Sequence, residues 1–198
     1  VRTDFGGFLE IFRPNLMAES VTSVDTADLW GLGIRALLLD LDNTLVPWHR
    51  YDVPESVLAW LREAESQGMR LCIVSNTRYP GRLKRLAEQL QLPFVKGWLK
   101  PRRSAFRPAL ELLGAAPDQA AVIGDQLLTD ILGGNRLGLY TILVKPLGRR
   151  EFFGTKISRI FERAILRALA SSPQPSAIPS RCAREQSPDA CSQTEAEQ

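Results

Sequence analysis

Histidine and cysteine, which hold soft metals and staple small folds, are scarce: one and three in 198 residues. Cys72, Cys182 and Cys191 are unevenly spaced and no histidine accompanies them, so neither a disulfide framework nor a zinc site is readable. Cys72, inside an apolar run, reads as packing; the other two, in a polar tail, read as solvated thiols. No apolar stretch approaches the ~20 residues that span a bilayer. The first ten residues carry Asp4 and Glu10 among apolar neighbours, unlike a secretory leader, so a cytoplasmic location is expected. A net charge of +3 lacks the clustered basic surface of a nucleic-acid binder, and no nucleic acid is expected as a partner. Residues 171–198 carry Arg181 and Arg184 against Glu185, Asp189, Glu195 and Glu197, a net of −2 that leaves +5 on the rest. That mild balance suits an anionic substrate or surface.

Short apolar runs are plentiful. Residues 34–40 (IRALLLD), 70–75 (RLCIVS), 120–124 (AAVIG) and 140–144 (YTILV) read as buried parallel strands, with a shorter candidate at 93–95. Between them, apolar residues at spacings of three and four predict helices over 54–67, 81–91, 103–113 and 129–136. Pro54 marks one start, and Gly68 and Gly114 mark stops. Alternating strands and helices imply an α/β, Rossmann-like parallel sheet with helices on both faces. One domain over residues 1–170 is expected. Residues 171–198, rich in Ser, Pro, Gln and Ala with Ile178 as the only large aliphatic side chain, are expected to be disordered.

In such a sheet the ligand crevice lies at the carboxyl ends of the strands. Asp40 and Asp42 follow the first predicted strand, Ser75 and Asn76 end the second, and Gly124 and Asp125 end the strand at 120–124. Three polar clusters should therefore converge on one edge.

Asp40-Leu41-Asp42-Asn43-Thr44-Leu45 resembles the first motif of the haloacid dehalogenase superfamily. The resemblance implies that Asp40 is a nucleophile toward phosphorus, forming an aspartyl phosphate, that Asp42 is the general acid/base, and that Thr44 braces the motif. An acidic turn capping a strand is the plain alternative for this hexapeptide. Ser75-Asn76 matches the second motif, which holds phosphoryl oxygens, and Lys100, in Trp98-Leu99-Lys100-Pro101, matches the third. Gly124-Asp125-Gln126-Leu127-Leu128-Thr129-Asp130 matches the fourth. By resemblance, Asp40, Asp125 and the backbone carbonyl of Asp42 would bind Mg²⁺, with Asp130 reaching it through a water or orienting Lys100.

Between Thr44 and Ser75 there is room for one helix, and between Asn76 and Lys100 for one helix and a short strand, so the domain is expected to be capless. A capless member of this superfamily suits a bulky substrate. Phe12-Arg13-Pro14, the DLDNTLV segment, GDQLLTDI, and Asn135-Arg136 followed by TILVKPL resemble the small bacterial YqeG-type phosphatases, relatives of the phosphatidylglycerophosphate phosphatases of mitochondria and plastids. The implied activity is dephosphorylation of phosphatidylglycerophosphate; a soluble nucleotide, sugar phosphate or phosphoprotein is the alternative substrate, and a non-catalytic protein-binding module the alternative function.

His49, the only histidine, follows Pro47-Trp48 and reads either as an exposed loop residue or as a substrate contact. Trp98 either lines the crevice or packs. Gly133-Gly134 reads as a flexible turn. Residues 156–170 (KISRIFERAILRALA) read as an amphipathic helix with Ile157, Ile160, Phe161, Ala164, Ile165, Ala168 and Leu169 on one stripe and Lys156, Arg159, Arg163 and Arg167 on the other side. Arg149, Arg150, Phe152 and Phe153 lie just upstream. The stripe is expected to pack on its own domain, to meet an anionic membrane surface as a peripheral contact, or to do the first while its arginines do the second.

Overall fold

The computed structural model describes residues 9–77, 79–96, 100–148, 165 and 167. Cys182, Cys191, Trp98, Arg149, Arg150, Phe152, Phe153, the tail at 171–198 and all of the 156–170 segment except Ile165 and Arg167 lie outside them.

Six strands form one parallel sheet: β1 (Leu16–Ala18), β2 (Ala36–Leu39), β3 (Arg70–Ser75), β4 (Phe94–Lys96), β5 (Ala120–Gly124) and β6 (Tyr140–Val144), in the order β1-β6-β5-β2-β3-β4. The inner strands are almost wholly apolar because both faces of the sheet are covered. Side chains alternate between those faces. Leu37, Leu39, Leu71, Ile73, Ala121 and Ile123 pack into one core with Leu29 of α1 (Thr26–Gly31), Trp60 of α2 (Glu55–Ser66) and Leu86 of α3 (Pro80–Leu90). Ala36, Leu38, Cys72, Val74, Ala120 and Val122 pack into the other, against Phe106 and α4 (Arg107–Leu113). The expected α/β fold with helices on both faces is therefore present, and single helices join β2 to β3 and β3 to β4, without a cap.

Element ends follow local chemistry. Pro54 is the N-cap of α2, and Gly114 closes α4 in a left-handed conformation, φ 55°. The predicted helix at 129–136 is two elements: a single wide π-type turn, Leu127–Ile131, and then α5 (Leu132–Leu137). Gly133 and Gly134, expected as a flexible turn, are buried in α5. A Cβ on Gly134 would come within 2.7 Å of Thr141 Cγ2, and one on Gly133 within 3.2 Å of the Pro101 Cα, so both glycines let the helix lie close on its neighbours.

β1 carries no sequence signal that predicts it. Leu16 and Met17 are exposed, so β1 has no apolar alternation. It is held instead by distant partners. The Asn15 N–H donates to the Thr141 carbonyl (2.9 Å), the Thr141 N–H donates to Asn15 Oδ1 (2.8 Å), and Asn135 Nδ2 donates to the carbonyls of Ile11 (2.7 Å) and Arg13 (2.9 Å). Asn135 thereby anchors the segment holding Phe12-Arg13-Pro14. Phe12 joins Leu127, Ile131, Leu132 and Leu143 in a third apolar cluster, and Ile165 packs against it while Arg167 is exposed.

Candidate active site

The chain turns from β3 to one side of β2 and from β5 to the other, so the crevice opens where β2 meets its two neighbours. Asp40 follows β2 directly, and its N–H donates to the Ile123 carbonyl (2.9 Å), which fixes it beside the end of β5. Asp125 follows β5. Ser75 ends β3. The three polar clusters expected at one sheet edge are there.

Lys100 is the hub of the site. Its Nζ donates to Asp40 Oδ1 and to Asp130 Oδ1, 2.8 Å each, and all three side chains are buried. Burial disfavours its charged form, but Asp130 and Asp40 outweigh that and hold its pKa above the ordinary lysine value. Asp40 is pushed up to about 7, chiefly by burial; Lys100 opposes the rise, and the charge of Asp130 adds to it. Asp130 Oδ2 accepts the Gln126 N–H (3.3 Å), so both of its oxygens are engaged. From this position it can orient Lys100. The wide turn at Leu127–Ile131 brings it back over Gly124, where a Cβ would overlap its carboxylate; only glycine fits.

One oxygen of Asp40, Oδ2, is buried without a hydrogen-bond partner, and so is the hydroxyl of Thr44, which is fully buried behind the loop. A buried carboxylate oxygen left in this state is costly unless something binds it. Carboxylate oxygens of Asp40, Asp125 and Asp130 all lie within 4.8 Å of one another, a set of hard oxygen donors suited to a small divalent cation. With both oxygens of Asp130 engaged, the carboxylates of Asp40 and Asp125 are the side chains that could hold such an ion.

Asp42 stands apart from these carboxylates. Its Oδ1 accepts a hydrogen bond from Arg82 Nη1. Arg82 is buried, and it also donates from Nε (3.2 Å) and Nη2 (2.9 Å) to the Arg50 carbonyl and from Nη2 to the Pro47 carbonyl (3.4 Å). One guanidinium thus ties α3, the 47–50 loop and the second aspartate together. Sequence reasoning missed it, since an arginine in a predicted amphipathic helix reads as solvated. The one available signal was its place on the face of Leu83 and Leu86, both fully buried.

Ser75 is buried, and its hydroxyl accepts the Thr77 N–H (3.2 Å); Asn76 is exposed at the same strand end. His49 is exposed in the loop at φ 60°, its ring centroid 3.8 Å from that of Trp48.

Comparisons with known proteins find phosphatases among this chain's relatives. Residues 98–146 match a family described as "HAD-hyrolase-like". The chain is 37% identical over 160 residues to "Probable phosphatase YqeG" of Bacillus subtilis (strain 168), covering 81% of this chain and 92% of that protein. It is 30% identical over 167 residues to "Phosphatidylglycerophosphate phosphatase 1, chloroplastic" of Chlamydomonas reinhardtii, covering 80% of this chain and 62% of that protein. The corresponding Arabidopsis thaliana protein, "Phosphatidylglycerophosphate phosphatase 1, chloroplastic/mitochondrial", is 25% identical over 170 residues, covering 78% of this chain and 47% of that protein.

Proposed function

The chain belongs to the YqeG family of haloacid dehalogenase-like phosphatases, and we propose that it dephosphorylates phosphatidylglycerophosphate through an aspartyl phosphate on Asp40. The observation that carries the chemistry is Asp40 itself: a buried carboxylate at the end of the central strand, one oxygen held by Lys100 and the other left without a partner. Oδ2 attacks phosphorus, the bond from phosphorus to the leaving oxygen breaks, and Asp42 gives that oxygen a proton. Arg82 occupies Oδ1 of Asp42, so the proton is exchanged at Oδ2. Asp42 then takes a proton from water, the water oxygen bonds to phosphorus, and the bond to Asp40 breaks to release phosphate. Lys100 offsets charge on Asp40 and the phosphoryl oxygens, while Ser75 and Asn76 hold those oxygens.

Mg²⁺ fits the donors present: Asp40, Asp125 and the backbone carbonyl of Asp42 would hold it, and when bound it screens the repulsion between the carboxylate and the phosphoryl group.

The lipid assignment is supported by the missing cap, which leaves the crevice open to a substrate too large to enclose, and by the likeness to the plastid enzymes. Among the described residues no helix is long and apolar enough to cross a membrane. A panel assay in Mg²⁺ tests the reading. Short-chain phosphatidylglycerophosphate should be hydrolysed with a higher kcat/KM than nucleotides, sugar phosphates or phosphopeptides; a soluble metabolite turned over faster removes the lipid assignment. Absence of any Mg²⁺-dependent hydrolysis, even of an aryl phosphate, points to a binding module.

A further inference from the structure

The leaving group must depart past Asp42, because that residue supplies its proton. Arg82 binds Asp42 and, through the carbonyls of Pro47 and Arg50, the loop between them, so residues 48–51 flank the exit. Aromatic rings are gathered there. His49 lies 3.8 Å from Trp48 and 5.7 Å from Tyr79, centroid to centroid, and Tyr79 belongs to the loop that follows Ser75. The rings therefore bridge the two loops that carry the proton donor and the phosphate-holding hydroxyl.

The loop is held in one shape by specific devices. Asn43 and His49 both sit at positive φ, 64° and 60°, a conformation that costs a non-glycine residue about 1 kcal/mol and persists where surrounding contacts enforce it. Asn43 Oδ1 accepts the Trp48 N–H (3.1 Å), and the Asn43 carbonyl accepts the Leu147 N–H (2.9 Å). Yet the rings so positioned are not used to fill the core: Tyr51 and Tyr79 are 44% and 55% exposed.

A cation completes the wall. Arg85 lies one turn beyond Arg82 on α3, exposed, with its guanidinium 5.0 Å from the centre of the Tyr51 ring, and Arg82 lies 5.8 Å from the same ring. Arg82 is consumed by Asp42 and the loop carbonyls. Among the described residues Arg85 makes no ion pair or hydrogen bond to a carboxylate, so its charge is available to an incoming anion.

We infer that Trp48, His49, Tyr51, Tyr79 and Arg85 form a leaving-group subsite that selects phosphomonoesters carrying a second anionic phosphate beyond the scissile one. The rings pack against the carbon skeleton joining the two phosphates, and Arg85 takes the second phosphate. The inference rests on the phosphatase reading and on Asp42 as leaving-group acid, and it gives the open crevice a means of choosing among substrates without a cap.

The test compares the full-length protein with Arg85→Gln and Tyr79→Ala on two Mg²⁺-supported substrates: 4-nitrophenyl phosphate, which has no second phosphate, and the deacylated headgroup glycerophosphoglycerol phosphate, which has one and no acyl chain. The readout is the ratio of kcat/KM for the headgroup to that for the aryl phosphate. Arg85→Gln should lower this ratio about tenfold, through KM, while leaving the aryl phosphate rate within about twofold. Tyr79→Ala should lower it in the same direction. A ratio that does not change in Arg85→Gln, or wild-type protein that does not prefer the headgroup to the aryl phosphate, overturns the subsite. If the ratio falls as expected but intact lipid is hydrolysed no better than the headgroup, the subsite stands and the lipid assignment alone fails.

Discussion

Arg82 of α3 donates from Nη1 to Oδ1 of Asp42 across forty residues of sequence, with its side chain nearly sealed from solvent. A buried guanidinium is tolerated only when its donors are satisfied, and this one is satisfied by a carboxylate and two backbone carbonyls. The contact fixes the orientation of the proposed proton donor before substrate arrives.

Arg82→Gln should therefore impair proton transfer more than phosphoryl attack. With an alkyl phosphate, whose leaving oxygen needs a proton, kcat should fall about 10²-fold. With 2,4-dinitrophenyl phosphate, whose leaving group departs as an anion, the first-turnover burst should be nearly retained while later turnovers slow. Equal losses in both first turnovers would reduce Arg82 to a structural tie. Thermal unfolding of the same variant, expected to show a loss of about 2 kcal/mol, controls for misfolding.

The raised pKa of Asp40 makes the metal-free protein pH-sensitive. The folded state holds a proton on Asp40 up to about 7, whereas the unfolded chain releases it near the ordinary aspartate value of 3.8. The folded state thus binds more protons through this window, and that contribution to stability, full below about 4, is lost as pH rises through 7. Asp40→Asn cannot ionise. In EDTA its stability relative to wild type should increase from pH 4 to pH 7, by up to about 1 kcal/mol per pH unit, measured by urea unfolding. The variant should have no phosphatase activity, since the amide is a poor nucleophile.

Asp125→Ala removes a carboxylate from the oxygen cluster while leaving the Lys100 bonds to Asp40 and Asp130 in place. The Mg²⁺ concentration for half-maximal activity should rise at least about tenfold. Mg²⁺ should also raise the melting temperature of wild type and raise that of the variant less. An unchanged metal titration removes Asp125 from the ligand set.

Gly124→Ala places a methyl group where the Asp130 carboxylate lies. Asp130 must move, and Lys100 moves with it. Activity on an aryl phosphate should drop by about 10²-fold or more, because displacement by an ångström at a catalytic cation is enough to do so. Circular dichroism should remain that of the wild-type fold.

Ile165 and Arg167 report on the C-terminal segment from opposite sides. Ile165 packs on the cluster around Phe12 and Leu143, whereas Arg167 is exposed. Ile165→Asp should lower the melting temperature. Arg167→Glu should weaken sedimentation with vesicles containing anionic lipid, each basic residue near such a surface being worth about 1 kcal/mol. Binding to vesicles that is indifferent to the charge at 167 would withdraw the membrane contact.

The sequence by itself determined the parallel sheet and the ends of its inner strands, because a strand buried on both faces must be apolar throughout and polar where it leaves the core. IRALLLD, RLCIVS and AAVIG meet that condition within five to seven residues. The same local rule located Asp40, Asp42, Ser75, Asn76, Gly124 and Asp125, and the resemblance to the haloacid dehalogenase motifs added Thr44, Lys100 and Asp130. What needed the tertiary structure was every feature whose cause lies far away along the chain. β1 exists because Asn15 finds Thr141, 126 residues later, not because its own three residues favour a strand. Gly133 and Gly134 are closely packed helix positions because Pro101, Phe106, Val122 and Thr141 crowd them, which a Gly-Gly pair cannot announce. The division of labour among the acids was likewise hidden: Asp130 has both oxygens engaged and Asp40 has one left open, though both are equally acidic in sequence. Arg82 is the clearest case. Its hydrophilic side chain is buried on an apolar helix face by Asp42 and the carbonyls of Pro47 and Arg50, partners that only chain crossing brings within reach.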